Sequence, residues 1–388
     1  MIENNTTRTI IYEKFYKNME DIRSDTEEKI LENIANFDYK KYTKDDVKRV
    51  LSKSSFVLDD FKILLSPSAG FFLEEMAQRA YNETKKEFGN SISLFTPLYI
   101  ANHCENECTY CGFKATNKIQ RASLSEYEIE AELKAIAKTG LQEILILTGE
   151  ARRKSGIEFI ANAVKLASKY FSTVALEIYP LNINEYEYLH KAGADFVAVY
   201  QETYNKKKYE EVHLWGSKRN FSYRLNAQER ALKAGFRGVA FGSLLGLDDF
   251  RLDAFATITH AKIIQQKYPH SEISFSVPRL RPYINRKNNT HEDVYEKDLL
   301  QVMLVYRLFM SKATITISSR ENASFRDNVL GLVANKISAG VSVAVGGHED
   351  EKKGDEQFDI SDDRSVEDIC KLISSKNLQA VFTNHIRV

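Results

Sequence analysis

The chain has 388 residues, of which 43% are hydrophobic and 28% charged, so it can bury a large core and is not disordered by composition. Lysine plus arginine and aspartate plus glutamate both number 54, and this balance gives no reason to expect nucleic acid or an anionic membrane as a partner. No secretory signal or membrane-length apolar stretch is evident, so we expect a cytoplasmic protein, where clustered cysteines indicate metal or redox chemistry rather than disulfides.

The first part of the chain has a helical pattern. Residues 19–37 and 70–89 space their apolar side chains three and four positions apart, with charged residues between them. Gly89 and Asn90 then break this pattern. We therefore predict an N-terminal helical segment over residues 1–91.

From residue 92 onward, short β-rich runs alternate with helix-length amphipathic segments. Several runs are almost continuous in Val, Ile, Leu and Phe, as expected for parallel strands covered on both faces. Ser125 and Glu128 have the spacing of a capping box at the start of one intervening helix. The alternation predicts an α/β fold, a (β/α)8 TIM barrel over residues 92–347, and a short C-terminal extension, 348–388, packing on the barrel. The eight predicted strands are 94–100, 143–148, 173–179, 196–200, 237–242, 272–277, 314–318 and 341–345.

Three of the four cysteines, Cys104, Cys108 and Cys111, follow the first predicted strand at its C-terminal end, where such barrels carry their active sites. The CxxxCxxC spacing suits three corners of a 4Fe–4S cluster and leaves one iron without a protein ligand, free to bind another molecule. Cys370, in an apolar helical segment, is interpreted as a buried structural thiol. A zinc site completed by His103 is the alternative, although a ligand adjacent to Cys104 has poor chelation geometry.

The loop CENECTYCGF resembles the signature loop of the radical S-adenosylmethionine (SAM) superfamily. Over about residues 60–388 the chain is similar to the aromatic amino acid lyases of that superfamily, and most of all to the tyrosine lyases of thiamine thiazole biosynthesis. The resemblance implies two cofactors, a 4Fe–4S cluster and SAM, which together generate a 5′-deoxyadenosyl radical. The motifs that carry it, in chain order, are PLYIANHCENECTYCGF, LTGEARRKSG, LEIYPL, VYQETY, SVPRLRP, SSRENASFRD and ISAG.

The resemblance assigns the amino group of SAM to the motif at the end of the second predicted strand, Thr148, Gly149 and Glu150. A carboxylate beside an ammonium group is the chemistry that this role requires. Without the family, the same three residues are simply a polar turn.

Further cofactor contacts are implied on the next strands. Glu177, at the end of an apolar strand where a lone carboxylate is costly, is assigned to the ribose hydroxyls, and Arg224 to the methionine carboxylate of SAM. Tyr110 is expected to contact adenine through its backbone. An ordinary arginine near a helix start is the alternative for Arg224. The residues predicted to line the pocket without an assigned role are Glu202, Tyr204 and His213.

The amino acid substrate needs an anchor for its carboxylate. Arg320 and Ser318 lie on the same face after the seventh predicted strand by the two-residue period, and a guanidinium group holds a carboxylate through two parallel hydrogen bonds. Arg279, after the sixth strand, is the competing anchor. Tyr99 matches a pocket tyrosine of the family, with a core tyrosine as its alternative.

The resemblance implies cleavage of the Cα–Cβ bond of L-tyrosine after hydrogen abstraction from its amino group. The products would be 2-iminoacetate (dehydroglycine) and 4-methylphenol, with methionine and 5′-deoxyadenosine, and the implied partners are thiazole synthase and a reductant such as flavodoxin or ferredoxin. A hydrogenase-maturation tyrosine lyase is disfavoured because only Cys370 follows the loop, whereas those enzymes bind a second cluster. A tryptophan lyase and a non-enzymatic zinc- or cluster-binding module remain as alternatives.

Overall fold

Parallel β-strands form the centre of the computed structural model, which describes residues 17–35, 37–281, 294–349, 351–383 and 385. The strands are β1 (Ser91–Ala101), β2 (Glu143–Thr148), β3 (Thr173–Glu177), β4 (Phe196–Ala198), β5 (Gly238–Phe241), β6 (Glu272–Ser276), β7 (Thr314–Ile317), β8 (Lys336–Ser338) and β9 (Gln379–Val381). Strands β2 to β8 are neighbours in chain order, and β1 pairs with both β8 and β2, which closes the barrel. The predicted (β/α)8 class is confirmed.

Helices surround this barrel and also precede it. The predicted capping box is present at the start of the helix after β1, where Ser125 and Glu128 each accept a hydrogen bond from the other's backbone amide. The first helix packs against the eleventh, and the fourth packs against the twelfth. The helices are α1 (Thr26–Ala35), α2 (Lys44–Leu51), α3 (Leu58–Leu64), α4 (Leu73–Phe88), α5 (Glu126–Lys138), α6 (Ile157–Ala167), α7 (Ile183–Ala192), α8 (Lys206–Val212), α9 (Phe221–Leu225), α10 (Ala227–Lys233), α11 (Phe250–Lys267), α12 (Glu296–Phe309), α13 (Ala323–Val329) and α14 (Val366–Ser375).

The eighth strand is not where the sequence predicted it. The prediction of 341–345 was wrong: the strand is Lys336–Ser338, and residues 341–345 follow it as irregular backbone with one bridge between Val345 and Tyr99. β8 begins with a charged residue, Lys336, which forms an ion pair with Glu143 of β2. Because the prediction relied on apolar runs, it did not recognise this strand. Val341 and Val343 instead pack in an apolar cluster that includes Tyr99 and Phe113.

Beyond the barrel, the chain returns over the C-terminal ends of the strands as an irregular segment, residues 351–361, here called the C-terminal loop. The amide of Gly112 donates to Gln357 O at 3.2 Å, and the amide of Ser361 donates to Ser319 O at 2.8 Å, so this loop contacts the segments after both β1 and β7. Cys370, in α14, packs against the main hydrophobic core. Within the described residues, no helix has the length and apolar character needed to cross a membrane.

Candidate active site

A cavity with about 1080 Å³ of empty volume opens at the C-terminal ends of the strands. It is lined by side chains from several strands, including Tyr99 of β1 and Glu177 of β3. It brings together six residues that the sequence assigned to cluster, cofactor or substrate: Tyr99, Tyr110, Cys111, Glu177, Ser318 and Arg320. The structure therefore places these candidates around one space, although they are spread over more than half of the chain.

The cysteine loop, residues 102–113, is held against the segment after α8. Thr109 donates its amide hydrogen to Val212 O at 2.9 Å, and Cys108 forms an antiparallel bridge with His213. The Tyr110 hydroxyl and Nε2 of His213 are 2.6 Å apart. Burial lowers the pKa of His213 well below its ordinary value, so this side chain is neutral and its hydrogen bond fixes the loop rather than carrying charge.

The surroundings of the Cys104 and Cys108 thiols disfavour free thiolates. Burial and, to a smaller extent, the neighbouring Cys111 raise the pKa of Cys104 to about 11, and burial raises that of Cys108 well above its ordinary value. Thiolates in such surroundings require a positively charged centre, and iron supplies it. Cys111 adjoins the cavity, so a cluster held by Cys104, Cys108 and Cys111 has space beside it for a further ligand.

The zinc alternative finds no support in the geometry. Over the described parts of the chain, no three His, Cys, Asp or Glu side chains are arranged to hold a single metal ion. The three thiols of the cysteine loop are thus not gathered at one ion position with His103. Cys370 lies in α14, outside this loop.

The turn Thr148–Glu150 packs directly on the cysteine loop. Gly149 donates its amide hydrogen to Ala101 O at 3.0 Å, and Glu105 donates to Glu150 O at 2.8 Å. A Cβ atom at Gly149 would collide with the carbonyl oxygen of His103, which explains why glycine stands there. Hydrogen bonds between backbones therefore join the end of β2 to the end of β1.

Two polar side chains of this turn are buried in a way that suits a polar ligand. The hydroxyl oxygen of Thr148 is buried and has no hydrogen-bond partner within the described chain. The Glu150 carboxylate accepts a hydrogen bond from Asn106 Nδ2 at 2.6 Å, and burial raises its pKa. Because a buried polar group is costly unless it is paired, both groups favour an ammonium ligand such as that of SAM.

Glu177 presents an unpaired carboxylate to the cavity. No described residue donates a hydrogen bond to it, and burial raises its pKa to about 7, while the positive charge of Arg320 acts in the opposite direction. Hydroxyl donors from a ligand would satisfy this carboxylate. The geometry is therefore compatible with the predicted contact to ribose.

Arg224 does not line the cavity. Its Nε donates to Tyr200 O at 2.6 Å, and its Nη2 lies 3.2 Å from Glu202 Oε1. Lys218 does line the cavity, and its ammonium donates to the same Glu202 oxygen at 2.7 Å. Burial alone would raise the pKa of Glu202, but Lys218 and Arg224 together lower it below its ordinary value, so this carboxylate is ionised and is shared between the two cations.

The two candidate anchors for the substrate carboxylate differ in how they are paired. Arg320 lines the cavity, stacks 3.5 Å from the ring centroid of Phe358, and donates no side-chain hydrogen bond to any described residue. Ser318 accepts a hydrogen bond from the Arg320 backbone amide at 3.3 Å. Arg279 instead binds Glu321 through Nε at 2.8 and 3.0 Å, and lies outside the cavity lining.

Comparison with known proteins places this site in a family. The model of the radical SAM superfamily matches residues 98–257, and that of the Biotin and Thiamin Synthesis associated domain matches residues 276–379. The chain is 38% identical to the 2-iminoacetate synthase of Escherichia coli (strain K12) over 338 residues, which are 87% of this chain and 89% of that protein. The corresponding protein of Salmonella typhimurium is 37% identical over the same shares. The chain belongs to the 2-iminoacetate synthase family.

Solved structures agree with this placement. The chain is similar to HydG, a maturase of the [FeFe]-hydrogenase, with a TM-score of 0.86 and 28% identity over 93% of this chain and 81% of that one. HydG from Carboxydothermus hydrogenoformans gives a TM-score of 0.84 and 27% identity over 92% of this chain and 84% of that one. As a member of the 2-iminoacetate synthase family, the protein is a radical SAM lyase that uses a 4Fe–4S cluster and SAM.

Several cavity-lining residues of this family member escaped prediction, among them Lys218, Gln357 and Phe358. Lys218 precedes a short helix and lies in no apolar pattern. Gln357 and Phe358 belong to the C-terminal loop, which the sequence marks only as a polar stretch. The Tyr99 hydroxyl donates to Gln357 Oε1 at 2.8 Å, a contact between residues 258 positions apart that no sequence pattern indicates.

Proposed function

We propose that the protein cleaves the Cα–Cβ bond of L-tyrosine to give 2-iminoacetate and 4-methylphenol, with methionine and 5′-deoxyadenosine as the products of SAM. The observation that carries the proposal is the guanidinium group of Arg320, which has no hydrogen-bond partner in the described chain and lines the same cavity as Cys111. A half-buried cation without a hydrogen-bond partner, beside a radical-generating centre, favours an anionic ligand, and the carboxylate of an amino acid supplies one.

When bound, the cluster and SAM supply a 5′-deoxyadenosyl radical inside the cavity. The chain's own residues hold the reactants around it. Arg320 binds the tyrosine carboxylate through two parallel hydrogen bonds, and the Ser318 hydroxyl lies on the same wall. Glu177 accepts hydrogen bonds from ribose, and Glu150 with Thr148 receives the amino group of SAM. The competing anchor, Arg279, is already paired with Glu321 and needs no substrate carboxylate.

The C-terminal loop closes this side of the cavity. Phe358 covers one face of the Arg320 guanidinium, and Gln357 covers the hydroxyl of Tyr99. Exclusion of water strengthens the ion pair with substrate and protects reactive intermediates. Because the imine product hydrolyses in water, we infer direct transfer to thiazole synthase for thiamine biosynthesis in the cytoplasm, with flavodoxin or ferredoxin as the electron donor.

The experiment that tests this function is product analysis. The anaerobically reconstituted protein is incubated with SAM, a reductant and either tyrosine or tryptophan, and the products are identified by mass spectrometry. We expect 4-methylphenol and glyoxylate, the hydrolysis product of 2-iminoacetate, from tyrosine only. An indole product from tryptophan would overturn the substrate assignment. Carbon monoxide and cyanide from tyrosine would favour the hydrogenase-maturation activity instead.

A further inference from the structure

Gln357 joins the substrate side of the cavity to the cluster side through the two ends of one amide group. Its Oε1 accepts a hydrogen bond from the Tyr99 hydroxyl at 2.8 Å, and its Nε2 lies 3.6 Å from Cys111 Sγ, a distance suited to an N–H···S hydrogen bond. Because Tyr99 occupies the oxygen end, the nitrogen end is directed at the sulfur. The orientation of the amide therefore follows from its partners.

The backbone of the C-terminal loop holds Gln357 in this place. Gly112, the residue after Cys111, donates its amide hydrogen to Gln357 O at 3.2 Å. A Cβ atom at Gly112 would collide with that carbonyl oxygen, so the close approach needs glycine. Two positions earlier, Asp355 O accepts from Asn102 Nδ2 at 3.1 Å. The C-terminal loop is thus bound to the cysteine loop at Asn102 and at Gly112, before and after Cys111 in the sequence. The position of the Gln357 side-chain amide therefore does not depend on its own hydrogen bonds alone.

The surroundings of this contact are apolar. Cys111 packs in a cluster of hydrophobic side chains that includes Tyr99, Phe113, Leu147 and Val343. In such surroundings little solvent screens the dipole of an N–H group, so its effect on a nearby negative charge is larger than at the surface. Hydrogen bonds to the sulfurs of a cluster are among the factors that set its reduction potential.

We propose that Gln357 is a positioning residue for the cluster: its side-chain amide donates a hydrogen bond to the Cys111 thiolate and makes the cluster easier to reduce. Reduction adds one electron to the cluster and increases the negative charge on its sulfur ligands. A donor directed at Cys111 Sγ stabilises the reduced state more than the oxidised state, which raises the potential. The inference rests on the cluster but not on tyrosine as the substrate, so the two proposals fail separately.

The test is a redox titration of the reconstituted protein without SAM or tyrosine, followed by EPR of the reduced cluster. Gln357→Met keeps the length of the side chain and removes the N–H donor without adding a charge, and Gln357→Leu also shortens the side chain. We expect the reduction equilibrium of both variants to be about tenfold less favourable, a shift of about 59 mV to more negative potential for one electron. In protein labelled with ¹⁵N in its glutamine side chains, pulsed EPR should show a nitrogen coupling that Gln357→Met loses.

The matched control is Gln120→Leu. The Gln120 side chain also donates to the C-terminal loop, to Lys353 O at 2.9 Å, but it has no contact with a thiol. A purely structural role of Gln357 predicts equal potentials in all variants, with differences only in iron content. If both Gln357 variants retain the potential of the parent protein, or if Gln120→Leu shifts it equally, the proposal is overturned. Should Gln357→Leu fail to bind iron, the uncharged and longer Gln357→Met still decides.

Discussion

The cysteine-loop side of the cavity is joined by backbone contacts between neighbouring strands, whereas the opposite side is joined by side chains from distant parts of the sequence. On the first side, Gly149 donates to Ala101 O and Glu105 donates to Glu150 O. On the second, Phe358 of the C-terminal loop stacks on Arg320 beyond β7. Substitutions on the first side should therefore disturb the fold together with cofactor binding, while substitutions on the second should separate substrate binding from stability.

The largest expected effect belongs to the two arginines of the second side. Arg320→Ala removes the cation proposed to bind the tyrosine carboxylate, and loss of one partner of a buried charge pair costs about 2–5 kcal/mol. We expect kcat/KM for tyrosine to fall accordingly, while 5′-deoxyadenosine formation without tyrosine persists. The free energy of unfolding should stay the same or rise, because the variant no longer holds a half-buried cation without a hydrogen-bond partner.

Arg279→Ala serves as the contrasting variant. It leaves the buried carboxylate of Glu321, which is 1% exposed, without its partner, and such a change costs about 3–5 kcal/mol of the free energy of unfolding. Unfolding in denaturant and steady-state kinetics on both variants measure the two effects. Unchanged kcat/KM in Arg320→Ala, with a large loss in folded Arg279→Ala, would transfer the anchoring role to Arg279.

On the first side, Gly149→Ala tests the backbone contact between the turn after β2 and the cysteine loop. The added Cβ meets the carbonyl oxygen of His103, and overpacking of this kind costs about 1–3 kcal/mol. We expect a lower free energy of unfolding together with weaker SAM binding, measured by denaturation and by calorimetric titration. Gly70→Ala is the control, since a Cβ there has no neighbour within 4 Å. Equal effects of the two substitutions would contradict the contact.

A strand was predicted correctly where its own residues show the pattern of a strand, and wrongly where it depends on residues distant in the sequence. The bounds of β2 agree with prediction because EILILT is a continuous aliphatic run, which marks a strand covered on both faces. The strand β8 was misplaced because it has only three residues and begins with Lys336, whose charge is neutralised by Glu143 on a strand distant in sequence. Pairing of that kind appears only once the barrel has closed.

The site residues also fall into those predicted from a local motif and those that depend on partners distant in the sequence. Cys104, Cys108 and Cys111 were predicted as a set because a single loop carries them at a spacing that only cluster or metal binding explains. Gln357 was missed for two reasons. It lies in a polar stretch that has no periodicity, and its partner Cys111 is 246 positions away in the sequence. The sequence also left Arg320 and Arg279 as competing anchors, and the ion pair to Glu321 distinguishes them.

The remaining expected effect concerns Glu177, and it appears as a pH dependence rather than as a fixed loss. Burial raises the pKa of Glu177 to about 7 from its ordinary value of 4.5, so within that window the folded protein keeps a proton that the unfolded chain has released. The free energy of unfolding therefore falls as pH rises from 4.5 to about 7, by at most about 1.4 kcal/mol per pH unit, and Glu177→Gln abolishes this contribution.

Denaturation without SAM, at roughly pH 5 and roughly pH 8, measures the slope of the free energy of unfolding against pH for the parent protein and for Glu177→Gln. Glu187→Gln, on the exposed face of α7, is the control. If Glu177 accepts hydrogen bonds from ribose, SAM stabilises its ionised form and lowers its pKa. The difference in slope between the parent protein and Glu177→Gln should then shrink when SAM is bound. If SAM leaves the difference in slope unchanged, the Glu177 carboxylate does not contact the cofactor. Glu177 would then not belong to the part of the cavity that binds SAM.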